Sequence, residues 1–377
     1  MFSVFRILLI LCLFALPATA AENLQPLPEL SKGFDLQAYA AGTDTVAKDF
    51  PNIPNGSFKI SLPKNWMERV AIGQDYGEIA RFDGPAIGDV RPYFSYKRIG
   101  LARENTAKLE LISYLLRSNY TLRGLREIDT RNVEALYVLV DDKNDSYIVR
   151  SMMRIIGPDA YLAEYALPVS AWNTMADTQV FAVKSFKFLR DSADPIEKRR
   201  ERTYFKSLRF YYPESWIFEG EDMPADNIVV ERLASKDQNN QLSGNIRLTV
   251  VSPRSLKDEM VEKEFTLNIP AMLKEIRKSY ETKGFIVDAA VESRKPELNL
   301  PVSFSAMDIY NMRVRLTQYD TDQKAAVSKE LWIAVFTSSG PIPKTYIAEL
   351  FTPSRNTDMY AWSTNSRAFE IILKSIQ

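Results

Sequence analysis

Gly157-Pro158, then Tyr161-Leu162-Ala163-Glu164 and Pro168, reads again as Gly340-Pro341, Tyr346-Ile347-Ala348-Glu349 and Pro353, and this repetition decides the fold. Working outward, an earlier pair lies 150 residues apart: Phe58-Lys59-Ile60-Ser61-Leu62-Pro63-Lys64-Asn65-Trp66 matches Leu208-Arg209-Phe210-Tyr211-Tyr212-Pro213-Glu214-Ser215-Trp216. The tyrosine-to-glutamate pair lies 185 apart. A third pair, Trp172 with Lys184-Ser185-Phe186 against Trp362 with Lys374-Ser375-Ile376, lies 190 apart. Order is kept while the offset grows, as two copies of one domain require when the second carries loop insertions.

Each copy opens with an alternating strand that a proline stops by removing a backbone donor. Each closes with an amphipathic helix: Trp172, Met175, Gln179, Val183 and Phe186 recur at helical spacing, as do Trp362, Ser366, Phe369, Leu373 and Ile376. Ser170 is read as the N-cap of the first. An inner helix is expected over Asn105 to Asn119, with Leu109, Ile112 and Leu116 on one stripe and Leu111 and Leu115 beside it. Its counterpart is expected from Pro270 to Lys283. Between the helices, Ala135–Val140, Tyr147–Ile156, Arg313–Tyr319 and Lys329–Thr337 alternate like antiparallel strands joined by polar turns. The fold class is therefore α+β: two similar domains, each an antiparallel sheet packed between helices, α/β/α sandwich-like. The expected boundaries are a signal peptide at 1–20, a proline-containing segment at 21–55, domain one at 56–190, a polar linker at 191–203 and domain two at 204–377.

An opening strand ending in Pro-x-x-Trp, a central meander and a closing helix ending in Lys-Ser-Phe resemble the PsbP/Mog-type family. That family includes an extrinsic photosystem II subunit, a Ran-binding yeast protein and exported bacterial proteins. The resemblance implies an antiparallel sheet between helices and a protein that acts by binding other macromolecules. The second copy departs from it at Ile376 and in its longer loops. The matching positions belong to the fold, so no functional residue is carried over.

Residues 1–20 have the parts of a secretory signal: Arg6, an apolar run from Ile7 to Leu16, and Ala18 and Ala20 before the cut. That run is half of the ~20 residues a membrane helix needs. The expected mature protein starts near Ala21, is periplasmic or secreted, and has no membrane span. Cys12, preceded by Leu11 where a lipid-attachment site wants a small residue, is read as a hydrophobe removed with the signal. It is the only cysteine, and histidine is absent. Disulfides, thiolate nucleophiles, Ser-His-Asp triads and histidine-ligated zinc are thereby excluded from the mature chain. Forty-eight basic and 48 acidic residues leave no excess for nucleic acid. The one dense basic cluster, Lys198-Arg199-Arg200-Glu201-Arg202, is expected to be a solvated spacer.

Four groups of residues invite a functional reading. Asp141–Asp145 and Asp320-Thr321-Asp322 lack the glycine and distant glutamate of a calcium loop and read as hairpin turns. Glu164 and Glu349 sit at one place in the two copies, each expected to answer an Arg or Lys on a neighbouring strand. Trp66, Trp216, Trp172 and Trp362 read as core anchors. Of Tyr93-Phe94-Ser95-Tyr96, alternate side chains point to opposite faces, so at least one side is core. No catalytic residue, cofactor or metal ligand is assigned. The expectation is a non-enzymatic exported protein that binds a protein partner. The alternatives are a carrier of a small ligand or metal ion, and a hydrolase working without histidine.

Overall fold

The computed structural model describes residues 24–69, 77–204, 208–252, 268–294, 307–316, 328–338 and 343–377. The signal segment, Gly340-Pro341 and Asp320–Asp322 lie outside them. The chain divides into one unit of Met1–Leu101 and Thr106–Asp194 and another of Ala102–Asn105 and Pro195–Gln377.

The first unit contains α1 (Leu36–Ala41), β1 (Thr43–Lys48), β2 (Phe58–Pro63), β3 (Met67–Arg69), β4 (Glu78–Asp83), β5 (Tyr93–Gly100), α2 (Ala107–Arg117), β6 (Thr121–Asp129), β7 (Asn132–Val140), β8 (Ser146–Ile156), β9 (Asp159–Pro168), α3 (Trp172–Ser185) and β10 (Lys187–Phe188). Its large sheet is antiparallel in the order β3-β4-β5-β9-β8-β7-β6. After β5 the chain crosses the sheet as α2 to the far edge and returns as a meander that ends beside β5.

The second unit contains β11 (Arg199–Tyr204), β12 (Leu208–Pro213), β13 (Trp216–Ala225), β14 (Ile228–Lys236), β15 (Leu242–Val251), α4 (Ile269–Glu281), β16 (Phe285–Arg294), β17 (Asp308–Leu316), β18 (Lys329–Thr337), β19 (Thr345–Pro353) and α5 (Met359–Lys374). Its order, β13-β14-β15-β19-β18-β17-β16, repeats the first strand for strand. The molecule is an α+β protein of two similar domains.

One face of each sheet carries the closing helix and the opening strand. Phe58, Ile60 and Leu62 of β2 join Phe94, Tyr96, Tyr161 and Tyr165 of the sheet and Val183 and Phe186 at the end of α3 in one core. Leu208, Phe210 and Tyr212 of β12 join Leu248, Leu350, Phe369 and Ile372 in the other. The opening strand stays out of the seven-stranded sheet and lies in a small one, β1-β2-β10 or β11-β12. The other face of each sheet carries the inner helix, α2 or α4.

Local chemistry sets the helix starts. Thr106 Oγ1 accepts from Leu109 N at 3.3 Å, Asn268 Oδ1 from Ala271 N at 3.1 Å and Asp358 Oδ1 from Ala361 N at 2.9 Å. Three expectations are corrected. Ser170 caps nothing: it lies in a 3-10 turn over Val169–Ala171 that leads into α3. In α2 the buried stripe is Ala107, Leu111 and Leu115, whereas Leu116 is exposed. That helix lies over a sheet face carrying charged and hydroxyl side chains, so Glu110 and Ser113 are buried with the leucines. The 191–203 stretch is a spacer only in its first part, because Arg199–Tyr204 pairs with β12 in full register. Among the described residues no helix is long and apolar enough to cross a membrane.

Candidate functional site

The repeated glutamates lie at the centre of each sheet and point toward the inner helix. Odd-numbered residues of β9 enter the core beneath α3, and Glu164 has the opposite parity. It is 2% exposed. Lys97 Nζ on β5 lies 2.9 Å from Glu164 Oε2, and Tyr114 OH on α2 donates to Oε1 at 3.0 Å. Tyr137 OH on β7 donates to the same oxygen, and Lys97 Nζ donates to Tyr114 OH at 2.9 Å. Tyr120 stacks on Tyr137 with ring centroids 5.7 Å apart. Burial opposes the Lys97 charge, but the charge of Glu164 and its hydrogen bond outweigh this and raise the pKa. Burial, and then the Glu164 charge, push the Tyr114 and Tyr137 hydroxyls up as well.

Glu349 takes the same place on β19, opposite Arg247 of β15, as Glu164 lies opposite Ser95 of β5. Its surroundings are poorer. Arg247 Nε is 3.7 Å from Glu349 Oε1, and Glu349 Oε2 has no hydrogen-bond partner. Burial raises the pKa of this carboxyl, with Arg247, Lys283 and Tyr280 opposing. The cation expected for each glutamate is thus Lys97 in one domain and Arg247 in the other, each on the adjacent central strand. Glu164 ties the inner helix to the sheet through Tyr114 of α2 and Lys97 of β5. Both glutamates are almost fully buried, at 2% and 3% exposed.

The other groups singled out in the sequence have their own places. Asp141 Oδ1 accepts from Lys143 N at 2.9 Å and Asp145 N at 2.8 Å in the β7–β8 hairpin, where Asn144 takes a positive φ of 66°. Trp216 is buried, while Trp66, Trp172 and Trp362 are half-buried against the cores. The indoles of Trp332 and Trp362 both donate to Glu330 Oε2, at 3.1 and 2.9 Å. Phe94 and Tyr96 are core, whereas Tyr93 faces the other side beneath the Arg81 guanidinium, 4.1 Å from its ring. Two members of the basic cluster are paired within their own domain: Arg202 with Glu231 at 2.9 Å and Arg200 with Glu214 at 3.2 Å. Among the described residues no acidic group is arranged to hold a metal. A cavity of about 10 Å³, room for one water, lies between Leu208, Phe210, Phe336 and Ile372.

A second buried charge network escaped the sequence reading. Arg150 on β8 is fully buried, its Nε 2.6 Å from Glu134 Oε1 on β7, and it donates to the carbonyl of Pro28. Arg126 on β6 bridges Glu134 to Glu29, at 2.7 Å from the latter, and Lys184 on α3 also binds Glu29. Lys184 and Arg126 hold the Glu29 carboxyl at a pKa of about 2. The carboxyl is half exposed, so solvent screens these pairs. Residues 24–34 thus form a strap over the β6–β8 half of the face that α3 leaves open. Gln25 N bonds Arg123 O at 3.0 Å, and Ser31 N bonds Asp177 Oδ1 at 2.8 Å. Gly124 lets the strap approach, since a Cβ there would lie 2.6 Å from Gln25 O. The strap and its partners lie 97 to 155 residues apart in sequence, and no local pattern marks them.

No family model and no curated protein matches the chain. Among solved structures, the solution structure of cyanobacterial PsbP (CyanoP) from Synechocystis sp. PCC 6803 aligns with a TM-score of 0.31 and 13% identity, over 42% of this chain and 98% of that one. The crystal structure of the di-domain ARO/CYC BexL from the BE-7585A biosynthetic pathway aligns with a TM-score of 0.13 and 9% identity, over 74% of this chain and 91% of that one.

Proposed function

We propose that this is an exported, non-enzymatic protein that binds a protein partner through its tandem α+β domains. One observation carries the reading: the repeated glutamates answer to groups inside their own domains, while apolar side chains stand exposed at the same end of each repeat. Met67 and Ile217, which directly follow the repeated tryptophans, are 66% and 49% exposed. Leu116 and Val140 in the first domain, and Leu242 and Ile286 in the second, are exposed at that same sheet end. They share one end of each sheet, Met67 and Ile217 on one edge strand and the others further across it, and we assign that end to the partner because exposed apolar surface is what protein interfaces bury. The signal-like residues 1–20 support export to the periplasm or beyond, and the resemblance of the repeat to the PsbP/Mog-type family supports macromolecular binding by analogy.

The test is crosslinking of the tagged protein in its native envelope, with mass spectrometry of what it captures. One dominant protein, retained by the wild type and lost on Met67→Asp or Ile217→Asp with the fold intact, supports the reading. Turnover of a substrate that a single substitution abolishes without unfolding overturns it.

A further inference from the structure

The strap is bound as a ligand is bound. Of residues 25–33 only Leu27 is buried, and Gln25, Pro26, Glu29, Ser31, Lys32 and Gly33 are exposed. Its hold on the domain comes from three elements in sequence: the Leu27 side chain over Gly124, the Pro28 carbonyl on the Arg150 guanidinium, and the Glu29 carboxylate between Arg126 and Lys184. The two receiving guanidiniums are fixed independently of the strap, whereas Lys184 meets only Glu29 among the contacts described. Arg150 is held by Glu134, and Glu134 and Arg126 are paired across β6 and β7. The groove is therefore preorganised, and it recognises an apolar side chain, a backbone carbonyl and a carboxylate on three consecutive residues.

The second domain has no such receptor at the equivalent positions. Glu164 lies opposite Ser151, and Glu349 opposite Ile333. Arg150 therefore corresponds to Trp332. Glu134, opposite Met152, corresponds to Ile309, opposite Ala334. Both replacements are buried and apolar. The guanidinium and its carboxylate are thus dispensable for the fold and particular to the domain that carries the strap.

We infer that the groove between β6–β8 and α3 of the first domain is a peptide-binding site, that residues 25–31 are its internal, displaceable ligand, and that an extended partner segment of the pattern apolar–proline–glutamate takes the same place. This deepens the proposed function by naming one site and one kind of partner segment, and it rests on that reading. It is tested without the native partner, so its failure leaves partner capture elsewhere on the molecule intact.

The experiment uses the full mature chain with a specific protease site inserted between Lys32 and Gly33, where the backbone is exposed and Gly33 has a φ of 93°. After cutting, a fluorescent peptide of residues 22–32 is titrated in and followed by anisotropy. The expected result is saturable binding, competed by unlabelled peptide and weakened about tenfold or more by Glu29→Gln or Leu27→Asp in the peptide. Arg126→Ala in the protein should lower affinity for the wild-type peptide and leave it unchanged for the Glu29→Gln peptide. Absence of binding by a cut protein that keeps its circular dichroism and melting temperature overturns the proposal. Collapse of the fold on cutting also overturns it, because the strap is then part of the core and cannot be displaced.

Discussion

Ser185 Oγ accepts the backbone N–H of Ser61 at 2.9 Å, and in the second domain Ser375 Oγ accepts that of Tyr211 at 2.8 Å. Each hydroxyl in turn donates back into its helix, to Ala182 O or Ile372 O. The serine of the repeated Lys-Ser motif is the clamp that holds the end of the closing helix against the opening strand. Backbone pairing completes it, Lys187 with Lys59 and Gln377 with Arg209.

Ser185→Ala leaves the Ser61 N–H without its acceptor and is expected to cost about 1 kcal/mol. Hydrogen exchange followed by mass spectrometry should show faster exchange over 58–63 with 208–213 unchanged, and Ser375→Ala should do the reverse.

Lys97→Met removes the cation paired with Glu164 and leaves a carboxylate buried with two tyrosine donors. The expected loss is about 3–5 kcal/mol by urea denaturation, and Lys97→Met with Glu164→Gln should recover much of it.

Glu349 has its folded-state pKa raised by burial. An acid with a raised folded pKa favours the folded state at low pH, and that contribution is lost as pH rises from the unfolded value, about 4.3, through the folded one. Glu349→Gln should therefore gain stability relative to wild type as pH rises toward neutral, with the difference shrinking at pH 4. Thermal melting across pH 4–8 checks the sign.

Gly124→Val places side-chain atoms where Gln25 O and Leu27 lie, at 2.6 and 3.0 Å from the first added carbon. The strap should lift, and residues 24–34 should be cut by trypsin at Lys32 faster than in wild type while the rest of the first domain resists.

The repeat was legible because its marks are local: a proline that stops a strand, a tryptophan three residues beyond it, a Lys-Ser at a helix end. The glutamates were legible as a pair because they share a motif, and their cations were expected on a neighbouring strand, where Lys97 and Arg247 stand. Three features were hidden for physical reasons. The α2 stripe was misplaced because the sheet beneath it is polar, so Glu110 is buried where a leucine at 116 is not. Strand β11 was hidden because it pairs only along one edge and Arg199, Arg200 and Glu201 keep their charges in water, so it shows no apolar alternation. The Arg150–Glu134–Glu29 network was hidden because it is made by tertiary contact between segments that carry no shared pattern.

The strap also explains why two copies of one domain had to diverge in their interiors. Wrapping the first domain takes the stretch from Leu24 to Ala41 ahead of β1. Ahead of the second domain, residues 189–198 separate β10 from β11, and Asp191–Asp194 of that stretch are bound to Arg154 and Arg131 of the first domain. A copy that cannot borrow a cover must fill the gap itself, and the bulk of Trp332 and Ile309 does so where its twin keeps a charge pair under a removable lid.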